Sequence, residues 1–313
     1  MADNEVPVAP FKLAEILDEA ASDTIEILDV GAMIEGQPRY DGLLRQGSCR
    51  ITGFEVNPER IPEIRAALPP GSQVLPYALG DGNPATLHIT LYRGCSSLFK
   101  PNADVIDMFE SISASSETGN FRVVGEVNVE TVRLDDVDEC PSADYAKLDV
   151  QGAELLVLEH GMQKLADAVI IETEVEFVEI YRGQPLFGDI ETFMRSHGFV
   201  LHKMIDIAGR NFRPMSTGNP ADAISQFLWA DAVFVRDFTK LDLFSAPQFL
   251  KAAAILHDVY FSYDLAHLFL YAYDTVVNGD YAAAYRVPWG AQVAHRDNLR
   301  ASACSFSQRK DKG

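Results

Sequence analysis

The chain of 313 residues predicts a doubly wound α/β fold, a mostly parallel sheet with helices on both faces. Three observations carry that expectation. The stretch Ile25-Glu26-Ile27-Leu28-Asp29-Val30 is short, apolar and β-branched and stops at Gly31, the pattern of a buried parallel strand. A second such stretch, Arg50 to Glu55, ends on an acidic residue and runs into Val56-Asn57-Pro58. Beyond it, strand-like runs alternate with helix-like ones, which is the order a parallel sheet with crossover helices needs.

The elements follow in order. Phe11, Leu13, Ala14, Ile16 and Leu17 fall close to helical spacing, so residues 11–21 are expected as a helix leading into the first strand. Residues 37–46 are expected to hold the first crossover helix, weakened by Pro38 and Gly42. Pro58 suits a first helical position, so a helix runs from there to about Leu68 and stops at Pro69-Pro70-Gly71. Ser72 to Leu79 reads as the third strand. Ala85 to Leu91 alternates as a strand with one solvated face does, and Phe121 to Leu134 alternates again. These two are expected to pair as an insertion beside the sheet. Between them lie a polar loop, Tyr92 to Pro101, and a serine-rich segment, Asp107 to Gly119, expected as a mobile surface segment.

Asp144 to Val150 is the fourth main strand, and a helix with Leu155, Leu156, Leu158 and Leu165 on its apolar side opens at Gly152. Val169 to Glu174 is the fifth strand, and a helix over Phe187 to His197 is closed by Gly198. Phe199 to Ile205 and Phe227 to Val235 are the last strands; joined without a helix, they are expected to be antiparallel. The aromatic helical pattern from Ala246 to Val277 is expected to pack back on the domain, with a lid or a homodimer face as the alternative. The division that results is a lead-in over 1–24, an α/β domain over 25–240, a helical extension over 241–290 and a flexible tail over 291–313.

Composition narrows the function. Against 46 acids the chain has 26 bases, a net charge of −20. That opposes nucleic acid and anionic membrane surfaces as partners, since both need a basic face. Cys49, Cys95, Cys140 and Cys304 are widely spaced, which fits neither a disulfide framework nor a zinc site. A reducing, cytoplasmic location is the default reading. Met1 to Glu5 is acidic, unlike the start of a signal peptide, and no apolar stretch reaches the length of a membrane span.

The first turn and the end of the second strand carry the chemistry. Gly31 has no Cβ, so a ligand is expected to come close to the backbone there. Glu55 can accept hydrogen bonds from both hydroxyls of a ribose. The turn lacks the G-x-G-x-x-G phosphate cradle: it offers Gly31, Glu35 and Gly36, and Glu35 would repel a phosphate. A ribose without a phosphate points to S-adenosylmethionine and away from NAD. The bland reading is a strand and tight turn with no ligand.

Seven stretches occur in one order: Leu28-Asp29-Val30-Gly31-Ala32, Gly53 to Pro58, Tyr77-Ala78-Leu79-Gly80-Asp81, Ser96-Ser97-Leu98, Val132 to Asp136, Lys147-Leu148-Asp149-Val150-Gln151-Gly152-Ala153-Glu154, and Ile171 to Glu174. Together they resemble the FkbM family of S-adenosylmethionine-dependent methyltransferases, over about residues 25–235. The resemblance implies a class I methyltransferase fold, Rossmann-like, with a seven-stranded sheet whose last strand is antiparallel. It also implies methyl transfer, usually to oxygen, on a small metabolite or glycan-like acceptor. One departure stands out: the family commonly has D-V-G-A-N-x-G, and this chain has Met33 and Glu35 instead of the asparagine and second glycine.

Carried over by position, Asp29, Gly31 and Ala32 would receive the methionine part of the cofactor and Glu55 its ribose, with Asn57 beside it. Val56 and Leu79 would sandwich the adenine, with Ala78 at its edge. Asp149 would sit beside the methyl group, either as general base or as a ligand of the cofactor ammonium. Glu172 is a second catalytic candidate, Glu174 and the loop residues Ser96 and Ser97 are acceptor-binding candidates, and no spacing identifies a metal site. A non-catalytic cofactor-binding or interaction protein that kept the fold is the alternative function.

Overall fold

The computed structural model describes residues 24–31, 38–219 and 225–285. The expected helix over 11–21, the turn residues Ala32, Met33, Glu35 and Gly36, and the tail over 291–313 lie outside the described residues.

Ten strands form among the described residues, β1 (Ile25–Val30), β2 (Cys49–Phe54), β3 (Gln73–Leu75), β4 (Ala78–Leu79), β5 (Pro84–Thr90), β6 (Val123–Val132), β7 (Tyr145–Leu148), β8 (Ile170–Glu176), β9 (Phe199–Arg210) and β10 (Gln226–Arg236). Seven make the main sheet in the order β3-β2-β1-β7-β8-β10-β9. The pairs of β1, β2, β3, β7 and β8 are parallel, while β10 is antiparallel to both its neighbours. This is the seven-stranded, mostly parallel sheet with the last strand reversed that the sequence predicts. The order turns at β1, whose two neighbours are β2 and β7, and that reversal opens the ligand crevice at the strands' carboxyl ends.

Helices are α1 (Asp41–Arg45), α2 (Ile61–Ala67), α3 (Ala103–Ile106), α4 (Glu154–Glu159), α5 (Phe187–Ser196), α6 (Ala246–Asp258), α7 (Tyr263–Val277) and α8 (Tyr281–Ala284). Strand side chains alternate between faces, and both faces are buried. Ile25, Ile27, Tyr145 and Val233 face α6 and α7, where Phe249, Ile255 and Phe269 close the core. Leu28, Leu148, Ile171 and Phe234 face the other way, against Val157 of α4 and Ile190 and Met194 of α5. The aromatic helices therefore pack back on the sheet. Lys251 of α6 also reaches the buried Asp144 carboxylate at 2.8 Å. Among the described residues no helix is long and apolar enough to cross a membrane.

Two expectations change. The stretch Ser72 to Leu79 does not make one strand: β3 stays in the main sheet, and β4 pairs with β6 in a three-stranded sheet ordered β4-β6-β5. Pro76 lies between them and has no N–H with which to continue the ladder. The serine-rich segment 107–119 is tied down. Asp107 Oδ1 accepts from Ser113 Oγ at 2.7 Å and from the Ala114 N–H at 2.9 Å. Phe109 and Ile112 join Phe121, Ile180, Tyr181 and Leu228 in a third buried cluster. Here the serines serve turn hydrogen bonds, and the insertion forms a wall above the carboxyl end of the sheet.

Candidate active site

A cavity of about 980 Å³ opens at that end, between the strand termini and the insertion. Its size suits a nucleoside cofactor together with a small acceptor. Of the residues expected there, Asp29, Gly31, Glu55, Val56, Ala78, Leu79, Ser96, Ser97, Asp149 and Glu174 all line it. Asn57 and Glu172 do not.

One half lies over β1 and β2. Asp29 is 8% exposed, and the Tyr40 hydroxyl donates to its Oδ2. Burial raises its pKa above the usual carboxylate range, opposed by the nearby Lys147 charge. Oδ1 of the same carboxylate is buried and accepts nothing among the described residues. An acceptor oxygen in that position matches a cationic N–H donor from a ligand. Glu55 is half-buried, and its Oε1 accepts the Asn57 N–H at 2.7 Å. So Asn57 contributes backbone, orienting Glu55, while Val56 and Leu79 supply the apolar surface.

Gly31 serves the neighbouring strand. It has φ +84°, and a Cβ there would lie 2.0 Å from the Asp149 carbonyl oxygen. The end of β1 is clamped to the residue after β7, with the Asp149 N–H donating to the Val30 carbonyl at 3.0 Å. The glycine is thus required by backbone packing, and this packing places Asp149 beside the first turn.

The cavity floor continues through a hydrogen-bonded chain. Asp149 Oδ2 accepts from Lys147 Nζ at 3.4 Å and its Oδ1 from Gln151 Nε2 at 2.9 Å. The same Gln151 nitrogen donates to Glu174 Oε2 at 2.6 Å. The Tyr181 hydroxyl donates to Gln151 Oε1 at 2.8 Å, which fixes which end of the amide faces the carboxylates. Gln151 takes φ +57°, a conformation non-glycine residues seldom adopt and one that clusters at functional sites. Its carbonyl accepts the Ser97 hydroxyl at 2.6 Å, and Ser96 Oγ accepts the Thr90 N–H at 3.1 Å. Both serines therefore line the cavity; Ser97 ties the covering loop to its floor, and Ser96 ties it to β5. Glu174 Oε1 makes no hydrogen bond among the described residues. Burial, then the Asp149 charge, push the Glu174 pKa well above the ordinary value.

Glu172 shares a face with Glu174 but sits one pleat deeper. Asp29, Lys147 and Glu172 lie opposite one another across β1, β7 and β8. Glu172 is 1% exposed, and its oxygens accept from Tyr145 at 3.2 Å, Tyr260 at 2.5 Å and Arg39 Nε at 3.2 Å. It holds the sheet to the turn after α6 and to Arg39, which also reaches Asp231 and Asp206. Glu154 is likewise engaged, accepting the Val150 N–H at 2.7 Å and the Gly152 N–H at 2.9 Å. Burial raises its pKa to about 7.

Sequence reasoning missed the roles of Lys147, Gln151 and Tyr181. The first two stand inside the most specific motif, K-L-D-V-Q-G-A-E, whose polar positions were the available signal. Nothing local marks Tyr181. Among the described residues no three His, Cys, Asp or Glu side chains group to hold a metal ion.

The family model described as "Methyltransferase FkbM domain" matches residues 29–201, more than half of the chain. No curated protein sequence matches. Among solved structures, a precorrin-6y C5,15-methyltransferase from Geobacter metallireducens is 12% identical, covering 75% of this chain and 97% of that one, with a TM-score of 0.32. The 23S rRNA methyltransferase ErmE is 12% identical, covering 83% and 80%, with a TM-score of 0.33. The StiE O-MT segment is 10% identical, covering 78% of each chain, with a TM-score of 0.35.

Proposed function

Since the chain belongs to the FkbM methyltransferase family, whose methyl donor is S-adenosylmethionine, we propose that it methylates a hydroxyl oxygen of a small metabolite or glycan-like acceptor. The residues fit the cofactor. The orphaned Asp29 Oδ1 suits an ammonium, and Glu55 suits a ribose diol beside the apolar Val56 and Leu79. Bound there, the cofactor supplies an electrophilic methyl on a sulfonium.

The chain's own work is to place the acceptor hydroxyl in line, keep water out and take its proton. Asp149 is the weaker proton acceptor, because Lys147 and Gln151 already occupy both its oxygens. Its part is to hold the cofactor end of the cavity. Glu174 is the better one: Oε1 accepts nothing among the described residues, Gln151 fixes the carboxyl through Oε2, and burial raises its affinity for a proton. Ser96 and Ser97 hold the loop that excludes water. The single observation that carries the reading is this Asp149–Gln151–Glu174 chain, which links the nucleoside half of the cavity to the half over β8 and β10.

The test is transfer of labelled methyl from S-adenosylmethionine across a panel of hydroxylated acceptors, followed by location of the label. A label on oxygen as an ether or ester supports the reading; a label only on nitrogen or carbon ends it.

A further inference from the structure

The far end of the cavity holds a cation that the methyl-transfer reading leaves without a task. Arg210 ends β9 and lines the cavity, with its guanidinium carbon 5.1 Å from the ring centroid of Trp229 on β10. Stacking on the indole fixes the plane of the guanidinium. Its Nη1 donates to the Gly209 carbonyl at 2.7 Å. Its Nε is buried and has no partner, and Nη2 makes no hydrogen bond either, among the described residues. Among the described residues burial is what acts on its pKa, and it lowers it.

That isolation is unusual here. The chain has 46 acids against 26 bases, and of the other basic residues that line the cavity Arg39 and Lys147 are ion-paired and Arg93 is exposed to solvent, whereas the Arg210 Nε is buried. A buried N–H left without an acceptor is destabilising unless a ligand supplies one. Nε and Nη2 form one edge of the guanidinium, two parallel donors spaced for the two oxygens of a carboxylate or two of a phosphate.

The geometry points to an oxyanion subsite at the Nε/Nη2 edge of Arg210: the methyl acceptor carries a carboxylate or phosphate that docks there while its hydroxyl faces Glu174. The assignment of the hydroxyl rests on the O-methylation reading; the anion subsite does not. The strand order sets the spacing. Between β8, which carries Glu174, and β9, which carries Arg210, lies only β10. The register adds an offset along the strands: Glu174 lies opposite Asp231 and Asp231 opposite Ile205, five residues before Arg210. At about 4.8 Å per strand and about 3.3 Å per residue the two backbones are on the order of 19 Å apart, and the acceptor spans what the two side chains leave of that distance. Glu174 and Glu176 are the acids of β8 that line the cavity, and burial raises the pKa of both.

Trp229 reports on the site. With Trp289→Phe as the parent protein and S-adenosylhomocysteine saturating, emission is followed while acetate, inorganic phosphate or glycerol is added at constant ionic strength. Acetate or phosphate should change the emission saturably and glycerol should not. Half-saturation should rise by about tenfold or more in Arg210→Gln, the loss of a charge-assisted pair. The anion with the tighter response names the acceptor's group. Arg210→Lys keeps the charge without the fork and should bind more weakly than the parent; it carries the comparison if Arg210→Gln does not fold. No saturable anion response in the parent, or an unchanged one in both variants, overturns the proposal. Calorimetry of S-adenosylhomocysteine on the same sample is separate: its failure would sink the methyltransferase reading, while an anion response would still stand on its own.

Discussion

Replacing Gly31 with alanine tests the geometry of the site most severely. The new Cβ would lie 2.0 Å from the Asp149 carbonyl oxygen, and both groups are backbone, so no side-chain rotation relieves the overlap. The residue also has φ +84°. A left-handed conformation costs an alanine about 1–2 kcal/mol, and overpacking adds about 1–3 kcal/mol, roughly 2–5 kcal/mol together. For a domain of this size that is a fall in melting temperature of about 5–15 °C. Gly183 is the internal control, with φ +75° and nothing within 4 Å of the place a Cβ would take. Gly183→Ala should therefore lose only the backbone part, about 1–2 kcal/mol. Differential scanning calorimetry measures both. Because Gly31→Ala also pries Asp149 away from the first turn, S-adenosylhomocysteine affinity should fall by about tenfold or more, a loss of about 1.4 kcal/mol, and stay unchanged in Gly183→Ala. The reasoning is refuted if Gly31→Ala is no more destabilised than Gly183→Ala and binds as the wild type does.

The other predictions concern the carboxylates. Glu55→Ala should weaken S-adenosylhomocysteine at least about tenfold, since each hydrogen bond to a charged group contributes about 1.5–3 kcal/mol, with little change in melting temperature without cofactor; unchanged affinity would assign the ribose elsewhere. Glu174→Gln should lower the single-turnover rate by about 10²–10⁴ while leaving cofactor affinity nearly intact, whereas Asp149→Asn should mainly weaken the cofactor; the opposite split would move the proton acceptor to Asp149. Glu154 has a folded pKa of about 7 against an ordinary 4.5, so its contribution to stability is full below about pH 4.5 and is lost as pH rises through about 7. Melting temperature should drop between those limits, and it should drop less in Glu154→Gln; equal drops would remove Glu154 from the account.

How much of this was legible depended on how local each cause is. β1, β2 and β7 are short, mostly apolar runs buried on both faces, and β8 opens on the apolar pair Ile170-Ile171, so their identity follows from the residues themselves. The acidic end of β2 and the D-V-Q-G turn after β7 were readable for the same reason. Glu172 and Glu174 were not separable. They alternate onto one face of β8, and partners distant in sequence, Tyr260 88 residues away together with Tyr145 and Arg39, make the first structural, while the second faces the cavity. Arg210 and Trp229 carried no signal because their stacking depends on the register and bulges of the long β9–β10 hairpin. The split of the third strand was legible in principle at Pro76.

The central claim is that the cavity at the carboxyl end of the sheet takes a nucleoside cofactor with a charged amino-acid end and no phosphate. Titration calorimetry with S-adenosylhomocysteine and with NAD addresses it directly. The account predicts saturable, one-to-one binding of S-adenosylhomocysteine, weakened by Glu55→Ala, and no heat from NAD; binding of NAD with none of S-adenosylhomocysteine would contradict it.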